Sequence, residues 1–152
     1  MSRSKKILVI LLVIFVVMGG GALWIYKFSS EVQGELNAAI EPMIREMSAA
    51  RWSREVIDKY ASPELEKWLV DNKMDNGMPG LSVLGNIREY KGVQSFDASS
   101  NAAELVAEVK FDSGDAYISL QISKRGGKWL MNSFNINSPA LLQKVTGNQN
   151  AK

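Results

Sequence analysis

The 152-residue sequence contains no cysteine and no histidine. That excludes disulfide staples, thiol nucleophiles, Cys/His zinc sites and every acid–base scheme that relays a proton through imidazole. A strong charge of one sign is missing as well. Lys and Arg number 18 against 16 Asp and Glu, and Arg3, Lys5 and Lys6 all precede a long apolar run, which leaves 15 cations and 16 acids beyond it. A nearly neutral domain carries no nucleic-acid signature. Nor is there a phosphate-cradling glycine motif, because Gly19, Gly20 and Gly21 fall in the apolar run and Gly126-Gly127 joins two strand-like segments. The acidic stretch 71–76 (DNKMDN) lacks the spacing and closing glutamate of a calcium loop, so turn chemistry is expected there, with no metal and no cofactor.

What stands out is the apolar run itself. Residues 7–26 carry no charge, and a helix from Ile7 to Ile25 would be about 28 Å long, close to the bilayer's roughly 30 Å of hydrocarbon. Arg3, Lys5 and Lys6 crowd its leading end, whereas Lys27 is soon joined by Glu31 and Glu35. The positive-inside rule therefore puts the N-terminus in the cytoplasm, and Trp24 and Tyr26 suit an aromatic belt at the outer interface. The alternative is a cleaved signal peptide with Gly20-Gly21-Ala22 as the cleavage site. The apolar character that continues through Leu23, Trp24 and Ile25 favours a retained anchor. The expected organisation is a cytoplasmic tip (1–6), a single-pass inner-membrane signal anchor (7–26), a stalk (27–41), an extracytoplasmic α+β domain (42–146), periplasmic or extracellular, and a flexible tail (147–152).

Within the exported part, Val32, Leu36 and Ile40 are spaced by four, and Pro42 predicts a kink or a helix restart. Met43, Ile44, Met47 and Ala50 continue a helical stripe, and Trp52, Val56, Ile57 and Tyr60 form another. Ser62-Pro63-Glu64 combines a capping hydroxyl, a first-turn proline and an acid, which together mark a helix start; Leu65, Trp68 and Leu69 then predict its buried face. Residues 71–80 read as a loop and Leu81 to Phe96 as an extended segment bent at Gly85 and Gly92. Strict alternation marks strands at Ala103–Phe111 and at Ala116–Ile122, with turns at 112–114 and 124–127. In Lys128–Asn137 the apolar parity slips between Met131 and Phe134, which predicts a bulge near Asn132-Ser133. After Pro139 one amphipathic turn is expected over Ala140–Val145, then fraying. Helices first and an antiparallel meander second make an α+β domain with N-terminal helices packed on a curved sheet.

The helical stretch Trp52–Leu69 with its Ser62-Pro63 restart, followed by hairpins ending in Gly126-Gly127-Lys128-Trp129-Leu130 and Phe134-Asn135-Ile136, resembles the nuclear transport factor two-like (ketosteroid isomerase-like, cystatin-like) superfamily over about residues 40–138. The resemblance implies N-terminal helices seated in the concavity of a bent sheet. A one-span anchor ahead of such a domain also resembles the inner-membrane scaffold subunits of type IV secretion machines, which are longer and match this chain nowhere residue by residue. Enzymes of the superfamily use an Asp base and Tyr or protonated Asp donors in an apolar cavity; the side chains available for that here are Asp58, Tyr60, Tyr90, Asp97, Asp112 and Tyr117.

No two of these stand at a spacing that forces them together, so no catalytic residue is assigned. The acids fall in turns, on polar strand positions or on charged helix faces, and each is expected to titrate near its ordinary value. The three tryptophans of the domain, Trp52, Trp68 and Trp129, stand in phase with apolar stripes and read first as core. Met74 and Met78, in a Gly/Pro loop, are less easily explained as core and suit an adaptable contact surface. Candidate partner or pocket contacts are Trp68, Met74, Met78, Tyr90 and Tyr117. The expected function is a non-enzymatic, membrane-anchored protein-binding or accessory domain of a bacterial envelope assembly. Its partners are the membrane, an envelope protein and, as a further option, a second copy of the chain. The alternatives are a small-molecule or lipid-binding pocket protein and an isomerase-like enzyme.

Overall fold

Leu36, Ile40, Met43, Ile44 and Met47 recur at helical spacing and are all buried, which is what fixes the long helix α1 (30–49) against the rest of the chain. The computed structural model describes residues 30–149. The expected anchor at 7–26 lies outside them, and among the described residues no helix is long and apolar enough to cross a membrane. α1 runs through Pro42 without a restart. Pro42 and Ala38, whose carbonyl loses its helical donor, are both exposed, so the interruption faces solvent instead of breaking the packed side. One helix therefore carries both the residues assigned to the stalk and the first residues assigned to the domain.

Two further helices follow, α2 (Arg54–Tyr60) and α3 (Pro63–Asp71). α1 and α3 end alike. Trp52 N–H donates to the Met47 carbonyl (2.7 Å) and Arg51 N–H to that of Ser48; Met74 N–H donates to the Leu69 carbonyl and Lys73 N–H to that of Val70. Both are Schellman caps, with Arg51 and Lys73 at the left-handed position that usually takes glycine (φ 53° and 57°). Each cap has apolar core residues at its two ends, Met47 and Trp52 at the first, Leu69 and Met74 at the second.

Leu81–Leu84 departs from the expected strand: Pro79–Leu84 is a 3₁₀ turn. Pro79 fixes the entry angle, and Gly85 ends the turn at φ 77°, where a side chain would strike Asp112 at 2.7 Å. The strands β1 (Ile87–Ala98), β2 (Ala102–Phe111), β3 (Gly114–Arg125) and β4 (Lys128–Asn137) form an antiparallel meander in the order β1-β2-β3-β4. The alternation holds, with Ala103, Leu105, Ala107, Val109 and Phe111 buried opposite Ala116, Ile118, Leu120 and Ile122. β4 bulges where its parity slips: Ile122 faces Met131 but Gln121 faces Ser133, leaving Asn132 as the extra residue and turning Phe134 and Ile136 back to the core side. β1 carries three register shifts against β2, one of them at Gly92.

The helices and the inner face of the sheet share one apolar core, so the architecture is α+β with helices on an antiparallel sheet. The last helix, α4 (Pro139–Gln149), is longer than the single turn expected. Ser138 is buried and its hydroxyl accepts from Leu141 N–H at 3.2 Å, a cap that starts the helix, while Leu141 packs against the core.

Candidate functional site

A groove of about 240 Å³ runs between α3 and β4, lined by Glu64, Leu65, Trp68, Met78, Asn132, Ser133 and Phe134. Its walls are set locally. Ser62 caps α3, accepting from Leu65 N–H at 3.3 Å, and its own N–H donates to the Met131 carbonyl at 2.7 Å, beside a parallel bridge between Ala61 and Met131. The start of α3 is thereby tied to the edge of β4. Arg125 bonds Glu64 at 2.8 Å across the same junction. On the other side, Met78 N–H donates to the Trp52 carbonyl (2.9 Å), a close approach allowed because residue 77 is glycine; a side chain there would lie 2.3 Å from that carbonyl oxygen. Trp52 is itself buried and stacks on Phe134 with centroids 6.4 Å apart, so the floor of the groove rests on the core.

Trp68 departs from the buried role expected of it. Leu65 and Leu69 are buried, but Trp68 is 46% exposed. At 100° per residue it stands about 80° from the centre of the Leu65–Leu69 stripe, on the flank of the helix, where it forms the groove wall. Trp52 and Trp129 are buried as expected; the Trp129 indole N–H donates to Glu35 at 3.0 Å, and Lys124 lies 5.4 Å from its ring centroid.

Of the candidate contacts, the fold brings Trp68 and Met78 together. Met74 packs against the core, and its carbonyl accepts from Arg54 at 3.5 Å. Tyr90 is half-buried on β1, where its hydroxyl donates to Asn37 Oδ1 at 3.2 Å and burial, with the charge of Glu41 second, pushes its pKa up to about 12. Tyr117 lies on the outer face of β3, 50% exposed. Leu65, Asn132 and Phe134 complete the groove; the sequence marks Leu65 for the buried face of its helix and Asn132 for a bulge, but none of the three as a contact residue.

The side chains an isomerase-like site would need are scattered. Asp58 pairs with Arg54 (2.5 Å), Tyr60 bonds Glu46, Asp112 caps Asn86 N–H (2.8 Å) and pairs with Arg88, and Asp97 is exposed on β1. Among the described residues the buried polar side chains are Ser48, Ser62 and Ser138, and no cluster of three or more acids could hold a metal ion.

The expectation of ordinary carboxyl titration fails for several groups, always downward. Hydrogen bonds from Lys124 and then Trp129 lower Glu35; those from Lys59 and then Tyr60 lower Glu46; the Asn86 amide and then Arg88 lower Asp112. Glu64 falls to about 2, chiefly through Arg125, helped by the amide and Ser62 hydroxyl at the α3 N-terminus. Sequence position alone places these acids on the surface correctly but does not show their cations, which come from distant strands and helices.

No known protein-family model matches the chain, and no curated protein matches it.

Proposed function

We propose that the chain is a membrane-anchored, extracytoplasmic protein-binding domain, an accessory of an envelope assembly, which engages its partner through the groove between α3 and β4. The observation that carries this reading is the half-exposed Trp68 beside Met78, Leu65 and Phe134. An indole and a thioether on a rigid, core-backed surface form the kind of anchor on which protein interfaces concentrate their binding energy. The absence of a buried carboxylate among the described residues argues for surface contact over acid–base chemistry in a cavity. The uncharged run 7–26 and the cations ahead of it support the exported location. Helices followed by a meander packed beneath them support the nuclear transport factor two-like reading of the fold.

The test is affinity capture from chemically crosslinked membranes, comparing the full-length chain with a Trp68→Ala, Met78→Ala variant. A specific protein held by the first and lost from the second, with both variants folded, is the expected result. Equal capture by both would remove the groove from the account.

A further inference from the structure

The sheet has two edges, and the fold deals with them differently. On β1, the backbone of Val93 is covered by α1: its N–H donates to Asn37 Oδ1 at 3.1 Å, and its carbonyl accepts from Gln33 Nε2. On β4, the edge is taken at Met131 by Ser62 and Ala61. Past the bulge, no described residue bonds the outer edge of β4 between Ser133 and Asn137. Met131 faces outward with its carbonyl, and the extra residue Asn132 preserves that phase, so Phe134 and Ile136 are the next residues whose N–H and C=O point away from β3. An open edge is usually guarded by lysine, proline or an inward charge. This one has no guard, since no charged residue stands between Lys128 and Lys144.

We infer that this edge pairs with the same edge of a second copy, antiparallel about a two-fold axis through Asn135, joining two four-stranded sheets into one. The inference rests on the proposal that this face binds protein and names one partner for it. In an isologous contact every residue near the axis meets itself or its neighbour, so a charge there would face its own kind at close range. The segment satisfies that condition throughout. Phe134 meets Ile136 of the second copy on the core side; Ser133 meets Asn137, and Asn135 meets Asn135, on the outer side, so apolar faces apolar and hydrogen-bonding faces hydrogen-bonding. The outward N–H and C=O groups of Phe134 and Ile136 supply the new ladder. Its limits are symmetric too: with Asn132 as the extra residue, the same register sets Met131, already occupied by Ser62, opposite Ser138, where the strand has ended and Pro139 follows with no N–H to give. No such alternative exists on the other strands: β2 and β3 are interior and have no free edge, and the uncharged stretch of β1, Gly92–Phe96, is taken at Val93 by Asn37 and Gln33 of α1.

The native chain has no cysteine, so a single introduced thiol reports unambiguously. In the full-length protein, purified in detergent, Asn135→Cys on the exposed outer face should form an intermolecular disulfide within minutes of mild oxidation, because the two Cα atoms on the axis would be about 4.5 Å apart. Gln94→Cys, exposed on β1, should crosslink at least tenfold more slowly while reacting equally with a maleimide. Asn135→Lys should leave the circular dichroism unchanged and weaken the dimer, read by sedimentation, at least tenfold. Equal crosslinking at 94 and 135, a native chain that sediments as a monomer, or an Asn135→Lys chain that stays fully dimeric would each overturn the edge pairing, the last two pointing to another partner strand or to association through another surface. A Trp68→Ala, Met78→Ala variant that loses its envelope partner while Asn135→Cys fails to crosslink would leave the protein-binding proposal standing and remove only the dimer; crosslinking at 135 with unaltered capture would do the reverse.

Discussion

Arg51 and Lys73 hold left-handed backbone at the caps of α1 and α3, a conformation that costs a residue with a Cβ about 1–2 kcal/mol. Replacing either by glycine relieves that strain but loosens the unfolded chain, so each of Arg51→Gly and Lys73→Gly should stabilise the domain by about 0.5 kcal/mol in chemical denaturation. Gly77 is the opposite case, since a methyl there meets the Trp52 carbonyl; Gly77→Ala should destabilise by about 2 kcal/mol or more. The tryptophans divide in the same way. Trp52→Ala removes a buried side chain stacked on Phe134 and should cost about 3–5 kcal/mol, whereas Trp68→Ala, half in solvent, should cost less than about 1 kcal/mol and act on binding instead. A large stability loss at Trp68 would return it to the core.

The elements show why some features were legible in the sequence and others were not. The strands β2 and β3, their turns, the Ser62 cap and the bulge at Asn132 follow from period-two alternation and turn chemistry, both local. Deleting Asn132 alone should therefore be tolerated, because it closes the bulge and leaves Phe134 and Ile136 inward, whereas deleting Asn132 and Ser133 together would turn Phe134 and Ile136 outward and Asn135 inward, and a loss of more than about 3 kcal/mol is expected in denaturation. The unbroken α1, the 3₁₀ turn at Pro79 and the exposure of Trp68 were not legible, because each depends on what packs opposite. Pro42 is tolerated only because its side of α1 meets solvent, and three or four residues of an amphipathic stripe cannot tell the flank of a short helix from its centre. Ion pairs between elements have a measurable signature as well. Glu64, bonded to Arg125 of β3, has a folded pKa of about 2 against an ordinary 4.5. A carboxyl depressed on folding stabilises fully above its unfolded value and loses that contribution as pH falls through its folded value, so melting temperature should decline between about pH 4.5 and 2. Glu35, Glu46 and Asp112 act in the same direction. Melting curves of Glu64→Gln should converge on those of the native chain across that window, and salt should shrink the difference throughout.

At the scale of the whole molecule, the proposed function is that of an exported domain with a protein-binding surface. Protease added to intact spheroplasts should degrade residues 30–149, and the full chain should stay in the membrane pellet after carbonate washing; protection of the C-terminus would reverse the topology. The most direct measurement of the central claim is site-specific photo-crosslinking in living cells, with a photoreactive amino acid at position 68 in the groove and, for comparison, at exposed position 110 on β2. The account predicts one or two discrete adducts with an envelope protein from position 68 and none of the same mass from position 110. Identical adduct patterns from both positions, or no adduct from position 68 in a folded chain, would contradict it.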